Sequence, residues 1–478
     1  MSTQLNFTSI PSELFIAIIS YLSVRDIGNL SLISKAFRRI TISHLFRAAR
    51  LTPESIAAFQ RGGSLNHIKG LVEQLTLDTA HSGVRGPDAI CTFTRACIEN
   101  NDLDATFPNI TGLKIVFSPE TCTASGSFSM DQQILRSTLL GFSKFSFYKN
   151  KLKSLVFKVD MPGEGGINPT VQFDIDTYYQ LSSENWEFVG PLVGEDEDYS
   201  YSAPDPWAGV DGDRIFPASL RELRLITPPG VRYNIFIPDH IGPGILRAAS
   251  HIAKSLEKLE VLAVPPIFER DPYPETRTLI FPEDIVYENV KEFTLGLDTQ
   301  GYHERLQEAV KKVPRVETFE LICSTAIGFH IPAMREQPSI RFKELSVLSN
   351  LKRVFIEAPM RDEIEYYPQT GTRRGPKHES RTAGRLSIAA VIEAVTFWLK
   401  SGMDRLENVE FRLYFIPKNR LRYVFEMLEL WCIVIRDGKG GWRLEWRSLK
   451  RNFENGKVEE GRFGGGMGFD REEYLDAV

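Results

Sequence analysis

The sequence predicts an α/β chain: a short amino-terminal module of three helices, then an irregular α/β solenoid. Three observations carry this expectation. Residues 1–50 hold a dense helical pattern with more apolar surface than so small a module can bury. A spaced apolar triplet recurs nine times between Val72 and Phe411. Helical stretches precede these triplets, so helix and strand alternate along the chain.

The chain has 478 residues, of which 42% are hydrophobic and 25% charged. That balance is typical of folded polypeptides, and the length exceeds what one compact core holds. A formal net charge of -5 argues against a general attraction to nucleic acid or acidic membranes. No stretch reaches the roughly 18 uncharged apolar residues that suggest a membrane helix. The apolar run from Phe15 to Leu22 has no Lys or Arg before Arg25, so it is not read as an export signal. Neither a nucleic-acid nor a membrane partner is expected. The five cysteines, Cys91, Cys97, Cys122, Cys323 and Cys432, form no C-x-x-C pair. Neither a disulfide framework nor a zinc cluster is indicated, and scattered thiols fit a cytoplasmic or nuclear setting.

In the first module, Leu14, Ile18 and Leu22 share one helical face. Phe15 and Ile19 make a second face beside it. Ile10-Pro11 precedes this helix, and proline suits a first turn. Ser23-Val24-Arg25-Asp26 resembles a capping box for a second helix, with Ile27, Leu30 and Ile33 as its apolar positions. Ser34 can cap a third, in which Phe37, Ile40 and Ile42 to Leu45 continue the pattern. One of the two stripes on the first helix needs another surface, in this chain or on a partner.

These residues resemble the F-box. The (L/I)-P-x-E-(L/I) start reads Ile10-Pro11-Ser12-Glu13-Leu14, and the end of the first helix reads Ile18-Ile19-Ser20-Tyr21-Leu22. Asp26-Ile27-Gly28-Asn29-Leu30 and Ile33-Ser34-Lys35-Ala36-Phe37-Arg38 complete the pattern. Ile10 stands where Leu is commoner, and Phe37 where many members carry Trp. The resemblance implies binding of the S-phase-kinase-associated adaptor and, through it, a cullin scaffold. Carried over by position, the adaptor-facing residues are Ile10, Pro11, Leu14, Ile18, Leu22, Leu30, Ile33 and Phe37.

The recurring pattern is L-x-x-L-x-L in apolar substitutes. It reads Val72/Leu75/Leu77, Ile110/Leu113/Ile115, Leu152/Leu155/Phe157, Leu220/Leu223/Leu225 and Leu256/Leu259/Val261. It continues as Val290/Phe293/Leu295, Val316/Phe319/Leu321, Leu351/Val354/Ile356 and Leu406/Val409/Phe411. The last two residues alternate as in a strand with one buried face. Helical spacing is found over 88–99, 132–142, 244–254, 304–313 and 385–399. The repeat resembles a degenerate leucine-rich repeat, and the whole chain resembles fungal-type F-box proteins with such a carboxy-terminal domain. Its steps are irregular: 38 residues from Val72 to Ile110, 26 from Val290 to Val316, and 68 from Leu152 to Leu220. The Asn or Cys that follows the last Leu in that family is mostly missing. A single α/β domain with a parallel sheet and helices on its faces is the competing expectation.

Long steps mark insertions near 161–214, with the acidic run Glu195-Asp196-Glu197-Asp198, and near 359–384, with Arg373, Arg374, Lys377, His378 and Arg381. The domain thus spans 51–451, and 452–478 reads as a partly disordered tail. Gly438-Lys439-Gly440-Gly441 reads as a hairpin turn and not a phosphate loop.

No spacing for a catalytic triad, a metal site or a phosphate cradle is present, so neither catalysis nor a cofactor is expected. The residue between the last two apolar positions of each triplet points away from the core. These are Thr76, Lys114, Val156, Arg224, Glu260, Thr294, Glu320, Phe355 and Glu410. Arg224, Glu260, Thr294, Glu320, Phe355 and Glu410 are the candidate contacts for a target protein. The resemblance implies a substrate-recognition subunit of a ubiquitin ligase acting in protein degradation, with a non-ligase scaffold as the alternative.

Overall fold

The computed structural model describes residues 24–79, 87–99, 101–117, 128–159, 212–226, 244–262, 281–297, 302–323, 342–361, 388–416, 426–437, 441–452 and 458–465, with Leu14, Ile18, Ile19 and Leu22. One sheet runs through them. Its strands are β1 (Ala48–Arg50), β2 (Gln74–Asp78), β3 (Gly112–Phe117), β4 (Ser154–Val159), β5 (Glu222–Ile226), β6 (Lys258–Val261) and β7 (Glu292–Leu297). There follow β8 (Thr318–Cys323), β9 (Arg353–Arg361), β10 (Asn408–Ile416), β11 (Glu426–Arg436), β12 (Trp442–Asn452) and β13 (Val458–Gly465). They lie side by side in chain order from β1 to β13, and β13 does not return to β1, so the sheet is open. Pairing is parallel from β1 to β10 and antiparallel from β10 to β13.

The last two residues of all nine triplets fall on β2 to β10, the first lies just before the strand, and no triplet residue exceeds 5% exposure. The register aligns them. Leu75 faces Leu113, which faces Leu155, and the line runs on through Leu223, Leu259, Phe293, Phe319, Val354 and Val409. A second line joins Leu77 to Phe411 in the same way. These columns are the core, and cutting one Leu to Ala costs about 3 kcal/mol. Just before each strand, one backbone N–H reaches the carbonyl of the equivalent residue in the preceding unit. The chain Glu73 to Arg47, Thr111 to Glu73 and Lys153 to Thr111 continues to Glu407 to Lys352 with bonds of 2.7–2.8 Å. This leaves the units no freedom to slip.

The helices used below are α1 (Val24–Ile33), α2 (Lys35–Leu45), α3 (Pro53–Phe59), α4 (Pro87–Ile98), α5 (Phe128–Phe142), α6 (Tyr302–Lys312) and α7 (Ile388–Lys400). The last four match the expected helical stretches to within about a turn. Over 244–254 a helical turn passes into a 3-10 turn at Ser250–Ile252. Leu139 of α5, Leu306 of α6 and Val395 of α7 all pack into the apolar columns. Trp398 of α7 stacks on Phe411 at 6.4 Å, and its indole N–H donates to the Phe342 carbonyl at 2.9 Å.

The structure adds detail at four of the expected domain limits. Within the supposed tail, Val458–Gly465 is a strand, because the open edge of β12 offers backbone groups that β13 satisfies. At the second insertion, β9 runs on to Arg361, and at the first, a helical turn occupies Gly212–Ile215; otherwise both insertions lie outside the described residues. The amino-terminal module ends inside the sheet and not in a linker, since β1 falls within residues 1–50. The expected hairpin is present: β11 and β12 pair from Arg436↔Trp442 to Glu426↔Asn452.

Candidate interaction surfaces

The amino-terminal module is small but internally ordered. Ser34 caps α2 by accepting the Phe37 N–H at 3.2 Å. Ile19 and Ile27 form its core, and Leu22, Phe37, Ile40 and Leu45 pack against them partly buried. Ile42 and Phe46 turn instead toward the core of the sheet domain.

Neighbouring residues of the first helix therefore have different surroundings. Ile19 is 0% exposed, whereas Ile18 is 48% and Leu14 58% exposed. On α1, Ile33 is also largely exposed, beside an equally exposed Leu32. Of the adaptor-facing candidates, Leu14, Ile18 and Ile33 point outward, and Leu22, Leu30 and Phe37 are half-buried. Ile10 and Pro11 lie outside the described residues. Leu32 is off the Ile27-Leu30-Ile33 line, so spacing does not single it out.

The second surface is the sheet face opposite the core. In β2 and β5, buried and half-buried residues alternate. Thr76, Lys114, Val156, Arg224, Glu260, Thr294, Glu320, Phe355 and Glu410 pair in unbroken sequence across β2 to β10. The same row continues as Trp431 and Arg447 on β11 and β12. These two residues lie beyond the L-x-x-L-x-L pattern, and only their place in the hairpin brings them into line.

In the middle of the sheet this face neutralises itself. Arg224 binds Glu260 and lies 3.9 Å from Glu222, and Lys258 meets Glu292 at 2.9 Å. Burial works against the charge on Arg224, but Glu260, Glu222 and Glu320 outweigh it and hold its pKa above the usual value. Glu260 and Thr294 are both under 9% exposed, so they offer little to a visitor. Thr294 donates its hydroxyl to Glu320 at 3.0 Å.

From β8 to β12 the face changes character. A groove of about 830 Å³ opens there, with Glu320, Phe355, Glu410 and Trp431 along it and Arg353 and Arg447 among its lining. Arg412 lies against Phe355 with its guanidinium carbon 5.2 Å from the ring centre. It reaches Glu357 and Glu429 at 3.3 and 3.2 Å and Glu410 at 3.7 Å. Burial pushes the Glu410 carboxyl above its usual range. Arg412 and a hydrogen bond from Trp431 oppose that shift, while Glu429 and Glu320 add to it.

Residues 7–51 match the F-box-like family model. The chain carries an F-box-like domain. No curated protein matches the chain. The match ends at Leu51, one residue past β1, so the F-box-like domain runs directly into the sheet. F-box-like domains generally bind adaptors of the S-phase-kinase-associated type, and the outward-facing Leu14, Ile18, Leu32 and Ile33 lie within the matched span.

Among the described residues, no three His, Cys, Asp or Glu side chains gather as metal ligands, and no helix is long and apolar enough to cross a membrane. Cys97 and Cys432 are buried free thiols. Burial, with a smaller contribution from Glu54, pushes the Cys97 thiol up to about 11.

Proposed function

We propose that this protein is the substrate-recognition subunit of a cullin-RING ubiquitin ligase of the SCF type. The F-box-like domain docks on the adaptor, and through it on the cullin. The sheet domain, read as a degenerate leucine-rich-repeat solenoid, presents a target protein to a ubiquitin-loaded enzyme elsewhere on the scaffold. The chain does no chemistry of its own. Its contribution is proximity, which turns an encounter between two proteins into a local one. It works in the cytoplasm or nucleus, where the ubiquitin machinery operates.

The observation that carries this reading is the split between Ile18 and Ile19 inside the F-box-like match. A helix that buries Ile19 in a small core and leaves Leu14 and Ile18 exposed has a partner surface to spare. Nine units with aligned outward positions supply a broad second surface, which suits recognition of a protein more than of a small molecule.

The test is affinity purification of the full chain and of an Ile18→Asp variant, followed by mass spectrometry. The adaptor should be captured by the wild type and lost from the variant. Capture that survives Ile18→Asp would remove the adaptor interface from Ile18. Half-lives of the co-purifying proteins then separate ligase from scaffold: a target is stabilised when the gene is deleted, and unchanged half-lives throughout favour the scaffold.

A further inference from the structure

The groove on the outer face has a specific charge order. Across β8 to β12 one row of side chains reads Glu320, Phe355, Glu410, Trp431, Arg447. Neighbouring strands lie about 4.8 Å apart, so Phe355 and Trp431 stand about 10 Å apart with Glu410 between them. A gap of that width admits one cationic side chain between two aromatic rings. Phe355 already accepts a cation from its own chain, Arg412, on one side of its ring. Glu410 is half-buried and lies 3.7 Å from Arg412, with Glu429 and Glu320 adding negative charge beside it.

The arginines of the groove complete the arrangement. Arg353 and Arg447 line it, and among the described residues neither has a carboxylate within ion-pair distance. Arg447 lies two strands from Glu410, about 10 Å, which an extended peptide covers in about three residues. Glu410 on β10, with the open guanidiniums of Arg353 on β9 and Arg447 on β12 to either side, complements a ligand of the opposite order.

We propose that this groove binds an extended segment of a partner protein that carries one Lys or Arg, seated between Phe355 and Trp431 on Glu410. An Asp or Glu about three residues away in the segment meets Arg447 or Arg353. This rests on the reading that the outer face receives a target protein.

The test is selection of a randomised dodecapeptide phage library on the immobilised full chain, followed by affinity measurement on soluble copies of the recovered peptides. One basic position with an acidic residue three or four places away should be enriched. Replacing that basic residue by Ala, or using the Glu410→Gln protein, should weaken binding about tenfold, the scale of one charge-assisted hydrogen bond, and Glu320→Gln, two strands away, should weaken it by a smaller factor that shrinks at high salt. Glu222→Gln, on the same face outside the groove, should bind as the wild type does. Glu320 is exposed, so its variant keeps the proposal testable if Glu410→Gln fails to fold. Recovery of no basic position, recovery of uniformly acidic sequences, or unchanged affinity in Glu320→Gln would each overturn the proposal. Adaptor capture is measured on the same preparations. Lost capture with retained peptide binding sinks the ligase reading alone, and the reverse result sinks the groove alone.

Discussion

Arg412 holds Phe355 in place from one strand away: its guanidinium lies 5.2 Å from the ring centre while it binds Glu357 on the same neighbouring strand. It also reaches Glu429 on the other side, whose side chain is almost fully buried. Arg412 is thus the only group that ties β9, β10 and β11 together among the ion pairs described for this face. Removing it leaves Glu429 with Arg451 alone, at 3.6 Å. Arg412→Ala should lower stability by about 2 kcal/mol, less than the cost of fully stranding a buried charge because Arg451 still reaches Glu429. Denaturant unfolding measures it. Arg412→Lys should recover only part, because an ammonium lacks the planar fork that serves several carboxylates and stacks on a ring.

Ile18 and Ile19 should separate binding from folding. Ile19→Ala opens a cavity in a very small core and should cost about 3 kcal/mol of the module's stability. Ile18→Ala should change stability by less than about 0.5 kcal/mol, as surface substitutions do. Limited proteolysis of the amino-terminal helices reads both effects in one experiment.

Glu410 makes a pH prediction. Its folded pKa lies above the unfolded value of 4.5, chiefly through burial. The native state therefore holds this proton more tightly than the unfolded chain does. The stability so gained is fully present below the unfolded pKa and is lost as pH rises through the folded value. Gln carries no charge and skips that loss. The melting temperature of Glu410→Gln relative to wild type should rise from acid to neutral pH, and a difference that stays flat or falls would refute the assignment. A carboxylate retained at a cost to stability is what a binding site requires.

Cys97 should resist alkylation in the folded protein. It is fully buried, and its thiol is pushed up to about 11, so almost no thiolate exists near neutrality. Iodoacetamide labelling followed by mass spectrometry should find Cys97 and the similarly buried Cys432 unmodified until denaturant is added. Labelling of native Cys97 at the unfolded rate would contradict its burial.

The strands were legible because each triplet repeats one physical demand: two apolar residues on the same side of a strand, preceded by a third that seals the turn. Val72, Leu75 and Leu77 meet that demand as well as Leu406, Val409 and Phe411 do, although 334 positions separate their first members. The outward row followed directly from the same pattern, from Thr76 to Glu410. The groove did not. Trp431 and Arg447 sit on antiparallel strands that carry no triplet, and Arg412 lies two residues beyond its row, so only the pairing register reveals them as neighbours of Phe355. In β13, Glu459, Glu460 and the glycines hide the strand, since its stability comes from the edge it pairs with and not from its own propensity. At the amino terminus, two apolar stripes were readable, but exposure was needed to tell the outward Ile18 from the inward Ile19.

The chain-order ladder also sets how the molecule responds to force. Within the sheet, each described strand is hydrogen-bonded to the strands before and after it in sequence. A pull applied between the F-box-like domain at one end and β13 at the other acts across the strands, so it loads one seam of hydrogen bonds at a time. An optical trap should therefore record a series of small rips at modest tension, not a single high-force rupture. A machine that unravels proteins from one end would meet little more than one strand's resistance at each step.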